Sequence, residues 1–169
     1  PDFECIPQSV FNISDVEETG KDFEENAILK AKNAFSKTNI SSVGDDSGLI
    51  VPAINNEPGL YSARYAGVNA TDSDNRNKLI SKLKDRKLES TYAYFFCCIV
   101  AVGIKGQNEI IVCDGRIEGE VRTIERGEKG FGYDPMFYPR GYSESFAELS
   151  SLEKNKISHR GQALKKLMD

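Results

Sequence analysis

The spacing of apolar and polar positions divides the chain into helices and strands. In KDFEENAILKAKNAFSK, from Lys21 to Lys37, the residues Phe23, Ala27, Ala31, Ala34 and Phe35 recur at intervals of three and four, which predicts an amphipathic helix. Lys30 falls at the edge of that stripe. A lysine there either lays its stem along the apolar surface or directs its ammonium inward at an anion. Ser42 to Asp46 and Gly48 to Val51 read as strand segments separated by an Asp-Asp-Ser-Gly turn, and an irregular stretch with Pro and Gly continues to Gly67. Thr71 with Asp74 has the spacing of a capping box and predicts a helix to about Lys87, with Leu79, Ile80 and Leu83 facing inward.

TYAYFFCCIVAVGI, from Thr91 to Ile104, is too rich in aromatic and β-branched residues to suit a helix and is the strongest strand pattern in the chain. Lys105 to Asn108 predict a turn, NEIIVCDG returns antiparallel, and GRIEGEVRTI supplies a further strand. RGEKGFGYDPMFYPRGY reads as a glycine-rich loop bearing aromatics. Ser150 with Glu153 forms a second capping box, and a helix after ISHRG ends the chain at Asp169. With no internal repeat or low-complexity linker, the expectation is an α/β protein: one mixed α/β domain over residues 1–169, with a long central sheet flanked by helices.

Composition narrows the function. No apolar run approaches the roughly 18 residues needed to span a bilayer, so no membrane association is expected. A net charge of -4 argues against a nucleic-acid surface but leaves room for a small anionic ligand met by local basic residues or a metal. Cys5, Cys97, Cys98 and Cys113 lack metal-binding C-x-x-C spacing and are expected to be reduced, mostly buried thiols of a cytoplasmic protein. Because the chain begins at Pro1, the lack of a visible targeting segment carries little weight.

Three acidic pairs stand out. Glu24 and Glu25 sit in the first turn of a predicted helix, where the macrodipole accounts for them. Glu17 with Glu18, and Asp45 with Asp46, sit beside glycine in predicted turns from two separate segments. There they could converge on a divalent cation through oxygen ligands. Magnesium held by one or two carboxylates completes its shell with water and substrate phosphates, which points to a phosphate substrate. Lys30 would then offset phosphate charge, and a carboxylate near the metal would take a proton from an attacking water. GFGYDP and SHRG form a second group. Singly, Phe131 suits packing and His159 suits a helix cap. Together, Phe131 can stack on a base, Asp134 can accept a ring N–H, and Lys154, His159 and Arg160 can donate to exocyclic oxygens.

EETG at Glu17 to Gly20, FEENAILKA at Phe23 to Ala31, DDSGL at Asp45 to Leu49, PGLYSARYAG at Pro58 to Gly67, GFGYDPMF at Gly130 to Phe137 and SHRGQAL at Ser158 to Leu164 occur in this order over nearly the whole chain. This series resembles the inosine/xanthosine triphosphate pyrophosphatase family. The resemblance implies that family's fold and a homodimeric, magnesium-dependent (Mg2+) enzyme of nucleotide-pool cleansing. Its reaction would hydrolyse the deaminated purine nucleoside triphosphates ITP, dITP and XTP to the monophosphate and pyrophosphate. By motif it implies Glu17 and Asp46 as metal ligands, with Asp46 also the proton acceptor and Glu18 and Asp45 as supporting neighbours. It implies Ser47 and Lys30 on the phosphate side, and Phe131, Gly132, Tyr133, Asp134, Lys154, His159 and Arg160 for base recognition.

A donor set at His159 and Arg160 with an acceptor at Asp134 would suit the 6-oxygen and ring N–H of hypoxanthine and would be mispaired with adenine. The family usually begins with a strand and a T-G-N-x-x-K phosphate loop. Nothing before VEETG matches it, and PDFECIPQSVFNI resembles the region that follows that loop. The domain over residues 1–169 is therefore expected without that strand and loop. Either roughly two dozen residues precede Pro1, or this version of the domain lacks them; in the second case the alternative is a nucleotide-binding protein without turnover. A phosphatase of sugar phosphates would leave GFGYDP and SHRG unused.

Overall fold

The computed structural model describes residues 4–104 and 109–169. The first long helix, α1 (Phe23–Thr38), begins at the Asp22 cap, whose side chain accepts from the Glu25 N–H, and carries Glu24 and Glu25 in its first turn. Then follow β1 (Ser42–Val51), a two-residue β2 (Glu57–Pro58), α2 (Asp72–Asp85), β3 (Ser90–Val102), β4 (Ile110–Arg122), β5 (Phe137–Pro139), α3 (Ser151–Ile157) and α4 (His159–Met168). The strands form one antiparallel sheet in the order β2-β1-β3-β4-β5. Both expected capping boxes are present, at Thr71 with Asp74 and at Ser150 with Glu153. α2 ends at Asp85, two residues before the expected Lys87.

Two strand expectations are corrected. The acidic pair does not interrupt a strand: β1 runs unbroken from Ser42 to Val51, with Asp45 opposite Ile99 and Asp46 opposite Cys98. Turn chemistry fails there because both carboxylates find side-chain partners on opposite faces of the sheet, so neither has to bond its own backbone. Nor do Asp114 and Gly115 separate two strands. β4 is continuous from Ile110 to Arg122. Gly115 serves packing, since a Cβ there would lie 1.9 Å from the His159 carbonyl oxygen at the start of α4. The glycine-rich loop also contains structure, a 3-10 turn over Asp134–Met136 leading into β5. The expected turn at 105–108 lies outside the described residues.

The sheet carries different layers on its two faces. α1 sets Ala27 and Ala31 against Cys98, Val100 and Val102 on one face. On the other, α4 packs Ala163 on Cys97 and Ile99, beside a larger core joining Leu49, Leu79, Leu83, Phe95, Phe137 and Phe146. Burying such side chains stabilises by roughly 1.5 to 3 kcal/mol each. The approach of α1 is unusually close at Gly44, where a Cβ would stand 2.5 Å from the Ala27 carbonyl oxygen and 2.6 Å from the Ala31 nitrogen. That glycine lets the helix backbone lie on β1 and brings Lys30 over the acidic pair. Cys5, Cys97, Cys98 and Cys113 are all free thiols, the last three buried.

Candidate active site

Strand alternation sends the two neighbouring acids of β1 to opposite faces. Asp46 turns toward α1 and is buried, 7% exposed. Lys30 Nζ donates to its Oδ1 at 2.7 Å and to the Asp45 carbonyl at 3.0 Å, while Asn26 Nδ2 donates to its Oδ2 at 3.2 Å. The same ammonium meets Glu18 Oε1 at 2.7 Å, and Arg64 pairs with the other oxygen of that carboxylate. Two carboxylates from separate segments thus share one lysine. Burial would raise the Glu18 carboxyl, but the bonds from Lys30 and Arg64 outweigh it and hold the group below its ordinary value. Burial dominates at Asp46 and pushes it above the usual carboxylate range despite Lys30, with the neighbouring Glu18 charge adding to the effect. Burial alone would lower Lys30, and its two carboxylate partners raise it instead.

Asp45 faces α4. Its Oδ2 accepts from Arg160 Nε at 2.8 Å and Nη2 at 2.6 Å, and Nη2 also reaches Ser47 Oγ at 3.4 Å. The Arg160 guanidinium carbon lies 5.9 Å from the centre of the Phe131 ring, so this residue links the acidic strand to the glycine loop. Phe131 is 60% exposed, and Lys154 Nζ lies 4.6 Å from its ring centre. Lys154 also pairs with the buried Asp134, which accepts the Phe131 N–H at 2.9 Å and so closes the loop on itself. Gly132 donates to Asp72 and accepts from Arg76, and the Tyr133 hydroxyl donates to the Ser62 carbonyl at 2.9 Å. His159 stacks on Phe95 with ring centres 4.8 Å apart, and its buried Nδ1 has no partner among the described residues. Burial, followed by the Arg160 and Lys154 charges, lowers its pKa to about 3, so the ring is neutral near pH 7.

The residues expected from sequence therefore gather in two neighbouring groups. Lys30 and Asp46 lie on one side of β1. Ser47, Phe131, Lys154, His159 and Arg160 lie toward the other, with Asp134 holding the loop. Within the acidic turn, Glu17 is exposed, whereas Glu18 faces Lys30. Residues 2–169 match the Ham1 family. The chain belongs to the Ham1 family.

Among its relatives is the dITP/XTP pyrophosphatase of Legionella pneumophila (strain Lens), 48% identical over 163 residues that make up 96% of this chain and 84% of the relative. A solved HAM1 protein from Coxiella burnetii superposes with a TM-score of 0.87 at 44% identity, covering 96% of this chain and 82% of that one. The Staphylococcus aureus Ham1 protein gives 0.84 at 44% identity, covering 95% and 81%.

Two site residues of this Ham1 chain were not singled out in its sequence. Arg64, in PGLYSARYAG, carries no local signal of its contact with Glu18, which is 46 positions away. Asn26 did leave a signal. It precedes Lys30 by four positions on α1, and residues so spaced share a helix face.

Proposed function

We propose that this Ham1 protein hydrolyses deaminated purine nucleoside triphosphates, ITP, dITP and XTP, to the nucleoside monophosphate and pyrophosphate with Mg2+. The observation that carries this reading is the Lys30 ammonium held 2.7 Å from both Glu18 and Asp46, while the neighbouring Asp45 on the same strand holds Arg160 beside the exposed Phe131 ring. A cationic centre beside two carboxylates suits a triphosphate with its metal, and Phe131 suits the base. Relatives named dITP/XTP pyrophosphatase support a deaminated purine nucleoside triphosphate as the substrate.

The donor set fits magnesium, because Asp46 and a carboxylate of the EETG turn offer hard oxygen ligands and leave room for water and phosphate oxygens. Among the described residues no three His, Cys, Asp or Glu side chains gather as a metal-binding cluster. Glu18 is supported as the second carboxylate by its contact with Lys30, with Glu17 on the same turn. When bound, the ion would neutralise phosphate charge and acidify water.

Asp46 accepts the proton of the attacking water, a role suited to a carboxylate whose proton affinity burial has raised. Lys30 turns its ammonium to the phosphates and Ser47 offers its hydroxyl. Phe131 stacks on the purine. Asp45 holds Arg160 through Nε and Nη2, which leaves Nη1 to donate to the 6-oxygen. With Nδ1 unpartnered among the described residues, His159 favours the tautomer that donates from Nε2. Asp134, Lys154, Gly132 and Tyr133 fix the loop beneath the base.

The test is product analysis with ITP and Mg2+. Release of pyrophosphate with IMP supports the reading, whereas orthophosphate as first product overturns it. Bound ITP without turnover would leave a nucleotide-binding protein. We also infer a homodimer, as the family resemblance implies, which sedimentation equilibrium tests. A cytoplasmic location is in keeping with the four free thiols, and no described helix is long and apolar enough to cross a membrane.

A further inference from the structure

Asn26 is 1% exposed, in the first turns of α1, and its amide bonds to two separate segments. Its Oδ1 accepts the Gly20 N–H at 2.8 Å, and its Nδ2 donates to Asp46 Oδ2 at 3.2 Å. Gly20 closes the EETG turn two residues after Glu18. A Cβ at Gly20 would stand 2.6 Å from Asn26 Oδ1, so the glycine is what allows the backbone to come this close. Lys30, one turn further along α1, holds Asp46 Oδ1 and Glu18 Oε1. The contacts form a closed ring running from Asp46 through Asn26 and Gly20 to Glu18, then through Lys30 back to Asp46. Two amino acids one helical turn apart thereby grip both oxygens of one carboxylate and fix its plane, while one of them also pins the segment that bears the other carboxylate. A buried amide is costly unless both ends are bonded, and an apolar side chain would fill the same space without that demand.

We propose that Asn26 is a positioning residue that sets the separation and orientation of the Asp46 and Glu18 carboxylates for one divalent cation. The proposal rests on the pyrophosphohydrolase reading and extends it to a residue that touches neither substrate nor metal. Its effect is transmitted through Asp46 and through the backbone at Gly20.

The test compares wild-type protein with Asn26→Leu, Asn26→Asp and Leu79→Ala, the last a core change remote from the site. Asn26→Leu removes both bonds. It is expected to speed hydrogen exchange at the Gly20 amide in metal-free protein, to raise the Mg2+ concentration for half-maximal rate and to lower kcat. Loss of a partner that orients a metal ligand typically changes affinity or activity by about 10- to 100-fold. Asn26→Asp keeps an acceptor for Gly20, so exchange there stays slow while kcat at saturating Mg2+ falls at least about tenfold, because the new carboxylate no longer donates to Asp46 and repels it. Leu79→Ala lowers the melting temperature and leaves the Mg2+ requirement where it was.

If Asn26→Leu does not fold, Asn26→Asp decides the Asp46 arm on its own. Unchanged kcat and Mg2+ requirement in either folded Asn26 variant would overturn the proposal, as would an equal shift of the Mg2+ requirement in Leu79→Ala. A wild-type protein that released no pyrophosphate from ITP would overturn the functional reading and this proposal with it. An active wild type matched by its Asn26 variants would overturn the proposal alone.

Discussion

On the α1 side of β1 both oxygens of Asp46 are hydrogen-bonded, whereas across the strand Phe131 stands 60% exposed and the buried His159 Nδ1 has no partner among the described residues. The first region is a tight charge network in which each carboxylate already faces a cation. The second is a platform whose polar groups are tied down behind it and left open in front. Buried charges must be paired within the protein or they destabilise it, so the catalytic half is assembled before any ligand arrives. An aromatic face carries no such demand and can wait for its partner. Arg160, bonded to Asp45 and close to Phe131, joins the two regions.

The largest effect is expected from removing the charge at the centre of the first region. Asp46→Asn keeps the shape and would remove the proton acceptor and the charged metal ligand proposed for this position. ITP hydrolysis should fall by at least about 10³-fold while the protein stays folded, as read by single-turnover rates beside circular dichroism. Near-normal turnover in folded Asp46→Asn would remove Asp46 from catalysis.

Lys30→Met comes next, with an expected loss of about 10²-fold in kcat, the scale of losing one charge-stabilising donor. A variant that changed only in melting temperature would return Lys30 to a packing role along the helix edge.

The base side should respond with smaller numbers and a different signature. Arg160→Ala is expected to lower kcat/KM for ITP about 10-fold more than for ATP, since only the former offers a 6-oxygen to its guanidinium. Equal losses on the two substrates would assign Arg160 to the phosphates by way of Ser47. Selectivity, not rate, is what distinguishes this region from the network around Asp46.

The two regions also differed in how far the sequence disclosed them. The helix over Phe23–Thr38 and both capping boxes follow from local spacing, because periodicity and caps are short-range properties. Asp45 and Asp46 were misread as a turn because the partners that keep them in a strand, Arg160 and Lys30, are 115 and 16 residues away. Gly115 was misread for the same reason, its neighbour being the His159 carbonyl. The motif blocks disclosed which residues gather. They could not disclose that strand alternation gives the neighbouring acids separate duties, nor that Glu18 rather than Glu17 faces Lys30. For Asn26 the four-residue spacing to Lys30 marks a shared helix face, but Gly20 and Asp46, which its amide meets, are brought to it only by the fold.

The smallest expected effect belongs to His159 and is read in stability. In the unfolded chain this imidazole titrates at its ordinary value near 6.5, while in the folded protein burial lowers it to about 3. As pH falls through 6.5 the unfolded state takes up a proton that the folded state refuses, so stability drops toward acid and is fully present only above the unfolded value. Between pH 7.5 and pH 6 the loss from this one group is about 0.8 kcal/mol, because both points lie far above the folded pKa. That corresponds to a melting temperature lower by roughly 2 to 3 °C for a chain of this size. His159→Gln cannot titrate, and its melting temperature should lose that increment of pH dependence while other groups contribute as before. The comparison of interest is the difference between the two slopes. Equal slopes in the two proteins would mean that the ring is hydrated enough to accept a proton when folded. The open region would then be wetter than its packing against Phe95 implies, and a neutral His159 donating to the base would lose its support.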